Sequence, residues 1–210
     1  MWCPILVTVL VGYLLGNLNG AVSIAALLEK DDIRKRGSGN AGLTNFFRNY
    51  GKATTLLVIL VDMGKTALAC YAGGMMLYPF GYYQEGLMLG AVAVSLGHDF
   101  PVLLGFRGGK GILCGLTVAL VIDWRIGLII LGVFIVAFAI TRYVSLGSVL
   151  GGLFFALGFA FFYHDNIYIL VGGVFLGLLA VWMHRGNILR LIRGEETKTH
   201  LIHRDLNKKQ

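Results

Sequence analysis

Charge is scarce in this 210-residue chain. Asp, Glu, Lys and Arg make up 14% of it, against about 25% in an ordinary soluble domain. Proline occurs three times, and cysteine only as Cys3, Cys70 and Cys114. These cysteines lie in apolar runs at unrelated spacings, which excludes a disulfide framework and a thiolate metal site. Acidic residues number 11 against 18 Lys and Arg, for a net charge of +7. The basic residues border apolar runs instead of forming a continuous stripe, so nucleic acid is not the expected partner. No Lys or Arg precedes Lys30, the reverse of a secretory signal with its basic start, so the first apolar run is expected to stay. Repeats, low-complexity segments and a second compositional domain are also lacking.

What is abundant is hydrocarbon. Apolar residues make up 57% of the chain and mean hydropathy is +0.75. At about 20 residues per crossing, the expected fold is an all-α integral membrane protein of seven transmembrane helices in a single polytopic domain, 1–210. The spans read as 1–28, 53–78, 86–96, 112–122, 126–141, 149–163 and 167–183. The two central runs, 86–96 and 112–122, are short, at roughly 16 Å each as helix. The stretch between them either extends these helices or dips below the headgroups. Inner segments are expected at about 29–52, 97–111, 142–148 and 184–210. With this layout only Arg125 of the 18 basic residues falls outside and only Lys65 falls within a span. The positive-inside bias then sets the N-terminus outside and the C-terminus in the cytoplasm. Asp62 and Lys65 lie three apart on one helix face, where they neutralise each other or a neighbour.

The segment 97–111 reads Gly-His-Asp-Phe-Pro-Val-Leu-Leu-Gly-Phe-Arg-Gly-Gly-Lys-Gly. Arg or Lys in hydrocarbon costs roughly 2.5–3.5 kcal/mol and usually marks a site. Gly108, Gly109 and Gly111 lack Cβ atoms, so backbone N–H groups there can close around an oxyanion beside Arg107 and Lys110. It is not a P-loop, because Gly111 and then Ile112 follow Lys110, with no Ser or Thr after the lysine. The other inner segments share this vocabulary. The first offers Ser38, Gly39, Asn40, Thr44, Asn45 and Arg48; the third Arg142, Ser145 and Ser148; the fourth His184, Arg185, Asn187 and Arg190. Capping or snorkelling explains any one of them, whereas four such segments on one face are better explained by a shared polar cavity. Between Gly86 and His164 the only acids are Asp99 and Asp123. A lining of cations and neutral donors suits phosphate, and an apolar interior beside it suits an acyl chain.

Ser38-Gly-Asn-Ala-Gly-Leu-Thr-Asn-Phe-Phe-Arg48, the 97–111 segment, Arg142-Tyr-Val-Ser145-Leu-Gly-Ser148 and His184-Arg-Gly-Asn-Ile-Leu-Arg-Leu-Ile-Arg-Gly-Glu195 together resemble the acyl-phosphate-dependent glycerol-3-phosphate acyltransferases, the PlsY family. The chain departs from the family pattern at Ala41, where proline is usual, and at Arg107, where lysine is usual. The resemblance implies transfer of a fatty acyl group from acyl phosphate to the 1-position of sn-glycerol 3-phosphate. Lysophosphatidic acid and phosphate would be the products, in the first acylation of bacterial phospholipid synthesis. It also implies no metal or other cofactor, a bacterial inner-membrane location with a cytoplasmic active site, and no obligate protein partner beyond the bilayer. The expected catalytic set is His184, Arg48, Lys110 and Ser145. The expected phosphate-binding set adds Ser38, Gly39, Asn40, Thr44, Asn45, His98, Arg107, Gly108, Gly109, Arg142, Ser148 and Asn187. His98 is expected to position the glycine turn. Either His184 or a substrate phosphate oxygen is the base. The reading from another class is a membrane transporter or channel for a phosphorylated anion, but the outer turns supply no matching cationic mouth. His200-Leu-Ile-His-Arg-Asp205 has the H-x4-D spacing of a different acyltransferase class and reads as chance in a polar tail.

Overall fold

The computed structural model describes residues 2–199, so the H-x4-D stretch lies outside the described residues. Every regular element among the described residues is helical. In order the α-helices are α1 (Trp2–Asn17), α2 (Gly20–Ile24), α3 (Leu43–Tyr50), α4 (Lys52–Leu77), α5 (Tyr83–Asp99), α6 (Ile112–Ile122), α7 (Trp124–Thr141), α8 (Val144–Phe162), α9 (Ile167–Met183) and α10 (Arg185–Ile192), with a π-helical turn at Ala25–Glu29 and short 3-10 turns between some of them. Helices α4, α7 and α8, and α5 counted with its continuation to Leu104, are each long and apolar enough to cross a membrane, and the count rises to six if the bent pairs α1–α2 and α9–α10 are each one span.

Four expectations need correction. The first apolar run is not one helix: its axis bends by 42° between α1 and α2. Asn side chains compete for backbone groups and favour caps over helix interiors. Here Asn19 accepts from Val22 N–H at 3.0 Å and donates to the Ala41 carbonyl at 3.0 Å. The carbonyls freed by the break are taken by Lys65 (Leu18 at 2.6 Å, Gly16 at 3.3 Å). Second, only one central helix is short. α5 runs 17 residues because polar Tyr83, Gln84, Glu85, His98 and Asp99 extend its apolar middle at both ends, while α6 stays at 11 residues. Third, Ser145 and Ser148 lie in the first turns of α8 and are buried there, not in a connecting turn. Fourth, residues 185–192 form a helix bent 52° from α9.

The bundle has two kinds of packing. Around α1, α4 and α5 backbones meet directly: a Cβ on Gly16 would strike the Gly97 backbone, and one on Gly73 would strike the Gly86 carbonyl. Such small-residue seams drive helix association where no hydrophobic effect operates between helices. Around α6, α8 and α9 side chains fill more of the interior, with Val118, Phe155, Phe159 and Ile169 buried, although α8 and α9 also meet closely where a Cβ on Gly177 would strike the Gly152 carbonyl. The 97–111 segment is pinned to α1. Tyr13 donates its hydroxyl to the Phe100 carbonyl at 2.8 Å, and Asn17 Oδ1 accepts from Leu103 N–H at 3.0 Å. That segment therefore cannot be a freely solvated loop.

Candidate active site

A cavity of about 760 Å³ opens where the inner segments converge. Its polar part is lined by Ser38, Asn40, Thr44 and Arg48 from the loop and helix around α3, and by His98 and Asp99 from the end of α5. Lys110 comes from the glycine turn, Ser145 and Ser148 from the start of α8, and His184 and Asn187 from the α9–α10 bend. Its apolar part is lined by the middles of α6 to α9, through Leu116, Ile130, Phe134, Phe155 and Leu176. Glycines at 115, 151 and 152 widen it.

The rim is cross-linked. Lys110 Nζ donates to Asn187 Oδ1. Asn187 Nδ2 donates to Glu196 Oε1 at 3.1 Å, and Arg190 Nε donates to Glu196 Oε2 at 2.9 Å. Arg48 Nη2 reaches the Thr197 carbonyl at 3.3 Å and the Thr199 hydroxyl. Thr199 N–H in turn donates to the Arg142 carbonyl at 3.0 Å. Burial holds the Lys110 ammonium below the usual lysine range, and the Arg190 and Arg185 cations push the same way against Glu196.

His184 is buried, and its Nδ1 lies 2.8 Å from the Ala180 carbonyl. A carbonyl only accepts, so Nδ1 carries the proton and Nε2 of the neutral ring keeps its lone pair. Ser145 Oγ is buried without a hydrogen-bond partner among the described residues. Ser148 Oγ instead donates to the Val144 carbonyl at 2.9 Å, so its proton is used within α8.

Several expected site residues do other work. Asn45 Nδ2 donates to the carbonyls of Ile33, Arg36 and Asn40 at 3.0–3.2 Å, while its Oδ1 accepts from Ser38 N–H at 3.1 Å. It lines the cavity but organises the loop. Gly109 N–H donates to the His98 carbonyl at 3.1 Å, and Gly109 is buried beneath the His98 ring. Gly108 packs against Pro101 and the His98 carbonyl. Gly108 and Gly109 therefore give close packing around His98, and the Gly109 N–H is not an open donor. Arg107 is exposed and outside the lining. Arg142 is exposed too, in the left-handed conformation (φ 63) that ends α7, and borders a separate small hollow with Phe138 and Thr199. Gly39, at φ +72, does reach the cavity rim. Sequence reading missed Asp62, Ser95, Glu196 and Thr197 as lining residues; the acidic pair Glu195-Glu196 within the basic tail was the available signal for Glu196.

Fold and cavity together define a polytopic helical membrane protein built to receive a molecule with an anionic head and an apolar tail. The chain belongs to the glycerol-3-phosphate acyltransferase family, whose sequence model matches residues 6–194, and it is an acyltransferase. A glycerol-3-phosphate acyltransferase of Prochlorococcus marinus (strain MIT 9312) is 36% identical over 194 residues, covering 90% of this chain and 95% of that one. The enzyme of Finegoldia magna is 37% identical over 190 residues, covering 90% and 93%. Two crystal structures of PlsY, an integral membrane glycerol 3-phosphate acyltransferase, share the fold. The glycerol 3-phosphate form superposes with a TM-score of 0.83 at 33% identity, covering 93% of this chain and 96% of that one. The lysophosphatidic acid form gives 0.79 at 31%, covering 93% and 95%.

Proposed function

We propose that the protein transfers a fatty acyl group from acyl phosphate to the 1-hydroxyl of sn-glycerol 3-phosphate, releasing lysophosphatidic acid and inorganic phosphate. The carrying observation is the continuity of one cavity from the Arg48–Lys110 rim to the apolar walls of α6 to α9. The glycerol hydroxyl oxygen forms a bond to the acyl carbonyl carbon while the bond from that carbon to the phosphate oxygen breaks. Phosphate is a good leaving group, so no covalent enzyme intermediate is needed. Lys110 and Arg48 neutralise the two phosphates and hold the reactants together, which is a proximity effect. Ser145 offers an unspent hydroxyl to the charge that develops in the transition state. His184 Nε2 takes the hydroxyl proton. Ser38, Asn40 and Thr44 supply further donors at the rim. No residue of this scheme calls for a metal or organic cofactor.

The same reading sets the protein as one domain in the bacterial inner membrane with this cavity facing the cytoplasm. Each bent pair then counts as one span and α6 as a short seventh. Single-cysteine labelling in oriented vesicles on a cysteine-free background checks this. Ser38 and Asn166 are expected to react from opposite sides, and reaction from the same side would remove the seven-span arrangement. The donor is checked with purified protein, glycerol 3-phosphate, and either acyl phosphate or acyl-CoA. Lysophosphatidic acid is expected from acyl phosphate alone, and equal turnover with acyl-CoA would overturn the donor assignment.

A further inference from the structure

In the cavity wall, with Asp62 and His98 among its lining and Lys65 beside them, lies a buried polar cluster that the proposed reaction does not use directly. Lys65 Nζ, on α4, is 2.7 Å from Asp62 Oδ1 and 2.9 Å from His98 Nδ1, and it donates to the Leu18 carbonyl at 2.6 Å. Asp62, Lys65 and His98 are all buried. Asp62 Oδ1 also accepts from Gly20 N–H at 3.0 Å, tying the cluster to the break in the first span. An ammonium group donates and never accepts, so His98 Nδ1 must present its lone pair to Lys65. The proton of the neutral ring is thereby forced onto Nε2, the atom that lies against Gly109. The same histidine accepts from Gly109 N–H through its backbone carbonyl. Lys110, next in the chain, turns into the cavity.

We propose that Lys65 is a positioning residue for the transfer reaction: by fixing His98 in its Nε2–H form and ring orientation, it holds the Gly108–Lys110 turn so that Lys110 faces the substrate phosphate. Neither Lys65 nor Asp62 touches substrate in this scheme. A histidine whose proton sat on Nδ1 would oppose donor to donor at Lys65 and would have to rotate, freeing the turn beneath it. The inference rests on the cavity being the site where glycerol 3-phosphate binds.

The test is a double-substitution cycle on the full-length protein in detergent, read as kcat and KM for glycerol 3-phosphate with acyl phosphate saturating. A glutamine amide reaches the place of Nε2 and needs no tautomer fixed, whereas an asparagine amide reaches only that of Nδ1. His98→Gln is expected to retain more activity than His98→Asn. Lys65→Met in the wild-type background is expected to raise KM and lower kcat/KM by up to about a hundredfold, the scale of a misplaced catalytic contact. In the His98→Gln background the same change should cost much less, because the two act through one another. Breaking a buried ion pair is destabilising, while removing both partners is better tolerated. If Lys65→Met does not fold, Asp62→Asn with Lys65→Met takes its place, since asparagine keeps an acceptor for Gly20 N–H. Equal losses in the two histidine backgrounds, or His98→Asn outperforming His98→Gln, would overturn the proposal. Wild-type protein that makes no product would remove the underlying reading. Active wild-type with unaffected Lys65 variants would remove this inference alone.

Discussion

Lys110 Nζ and Asn187 Oδ1 are hydrogen-bonded across 77 residues of sequence, joining the glycine turn before α6 to the bent helix after α9. The two groups face the same cavity, so in the proposed reaction a phosphate at Lys110 would be held against both halves of the bundle. The bond also parks the ammonium at the rim, since the amide oxygen accepts without neutralising the charge.

Removing that charge should weaken glycerol 3-phosphate capture. Lys110→Ala is expected to cost about 1.5–3 kcal/mol, the worth of a charge-assisted hydrogen bond, or roughly ten- to a hundredfold in KM. Asn187→Ala should cost less, because the charge remains. Steady-state kinetics with each substrate varied separately check the order. An Asn187→Ala loss equal to that of Lys110→Ala would show that the pair acts as a structural clamp.

Burial and the neighbouring arginines lower the Lys110 pKa. The cation that binds phosphate is therefore present below a depressed pKa and lost as pH rises through it. The profile of kcat/KM, which reports the free enzyme, should fall on its alkaline side before the ordinary lysine value of about 10.4. Lys110→Arg keeps its charge at any accessible pH and should shift that limb upward, whatever its geometry costs. An unmoved alkaline limb in Lys110→Arg would assign it to another group.

His184 is assigned the proton transfer. His184→Ala should lower kcat by about a hundredfold or more, the usual worth of a positioned base, with a smaller change in KM for glycerol 3-phosphate. A rise in KM with kcat unchanged would make His184 a binding residue and return the base role to a substrate phosphate oxygen.

Glycine at 109 and glycine at 115 should respond in opposite ways to alanine. A Cβ on Gly109 collides with the His98 ring, whereas one on Gly115 meets nothing nearer than the Phe155 ring at 3.9 Å. Gly109→Ala is expected to lower both melting temperature and activity, with no change in net charge. Gly115→Ala should fold as wild type and shift activity toward shorter acyl chains by filling the apolar wall. Thermal melts and turnover against a series of acyl phosphates check both.

Hydropathy is enough to mark an all-helical protein with several membrane-crossing helices, because hydrocarbon permits little but helices. The shared vocabulary of the four inner segments also anticipates that Ser38, Arg48, Lys110, Ser145, His184 and Asn187 line one cavity. What stays illegible is direction. Arg107 and Arg142 carry the same charge as Arg48, yet both turn outward, Arg142 through a left-handed backbone that no local pattern announces. Asn45 resembles its neighbours in composition, but its amide is consumed by three carbonyls of the 33–40 loop. The break at Leu18–Asn19 depends on distant partners, Ala41 at 22 residues from Asn19 and Lys65 at 47 residues from Leu18. Such choices are made by tertiary contacts, which periodicity does not encode.

The backbone-to-backbone seams of α1, α4 and α5 bear on redesign. Where Gly16 meets Gly97 and Gly73 meets Gly86 there is no side chain to trim and no gap to fill. At these two contacts the molecule acts as an anvil: an added methyl group must push two main chains apart. The wall of α6 to α9 has a tight contact of its own at Gly152 and Gly177, but beside Gly115, where a Cβ has room, it is made of replaceable side chains. Variation in the acyl chain accepted can accumulate there, residue by residue, while the glycine contacts admit almost none.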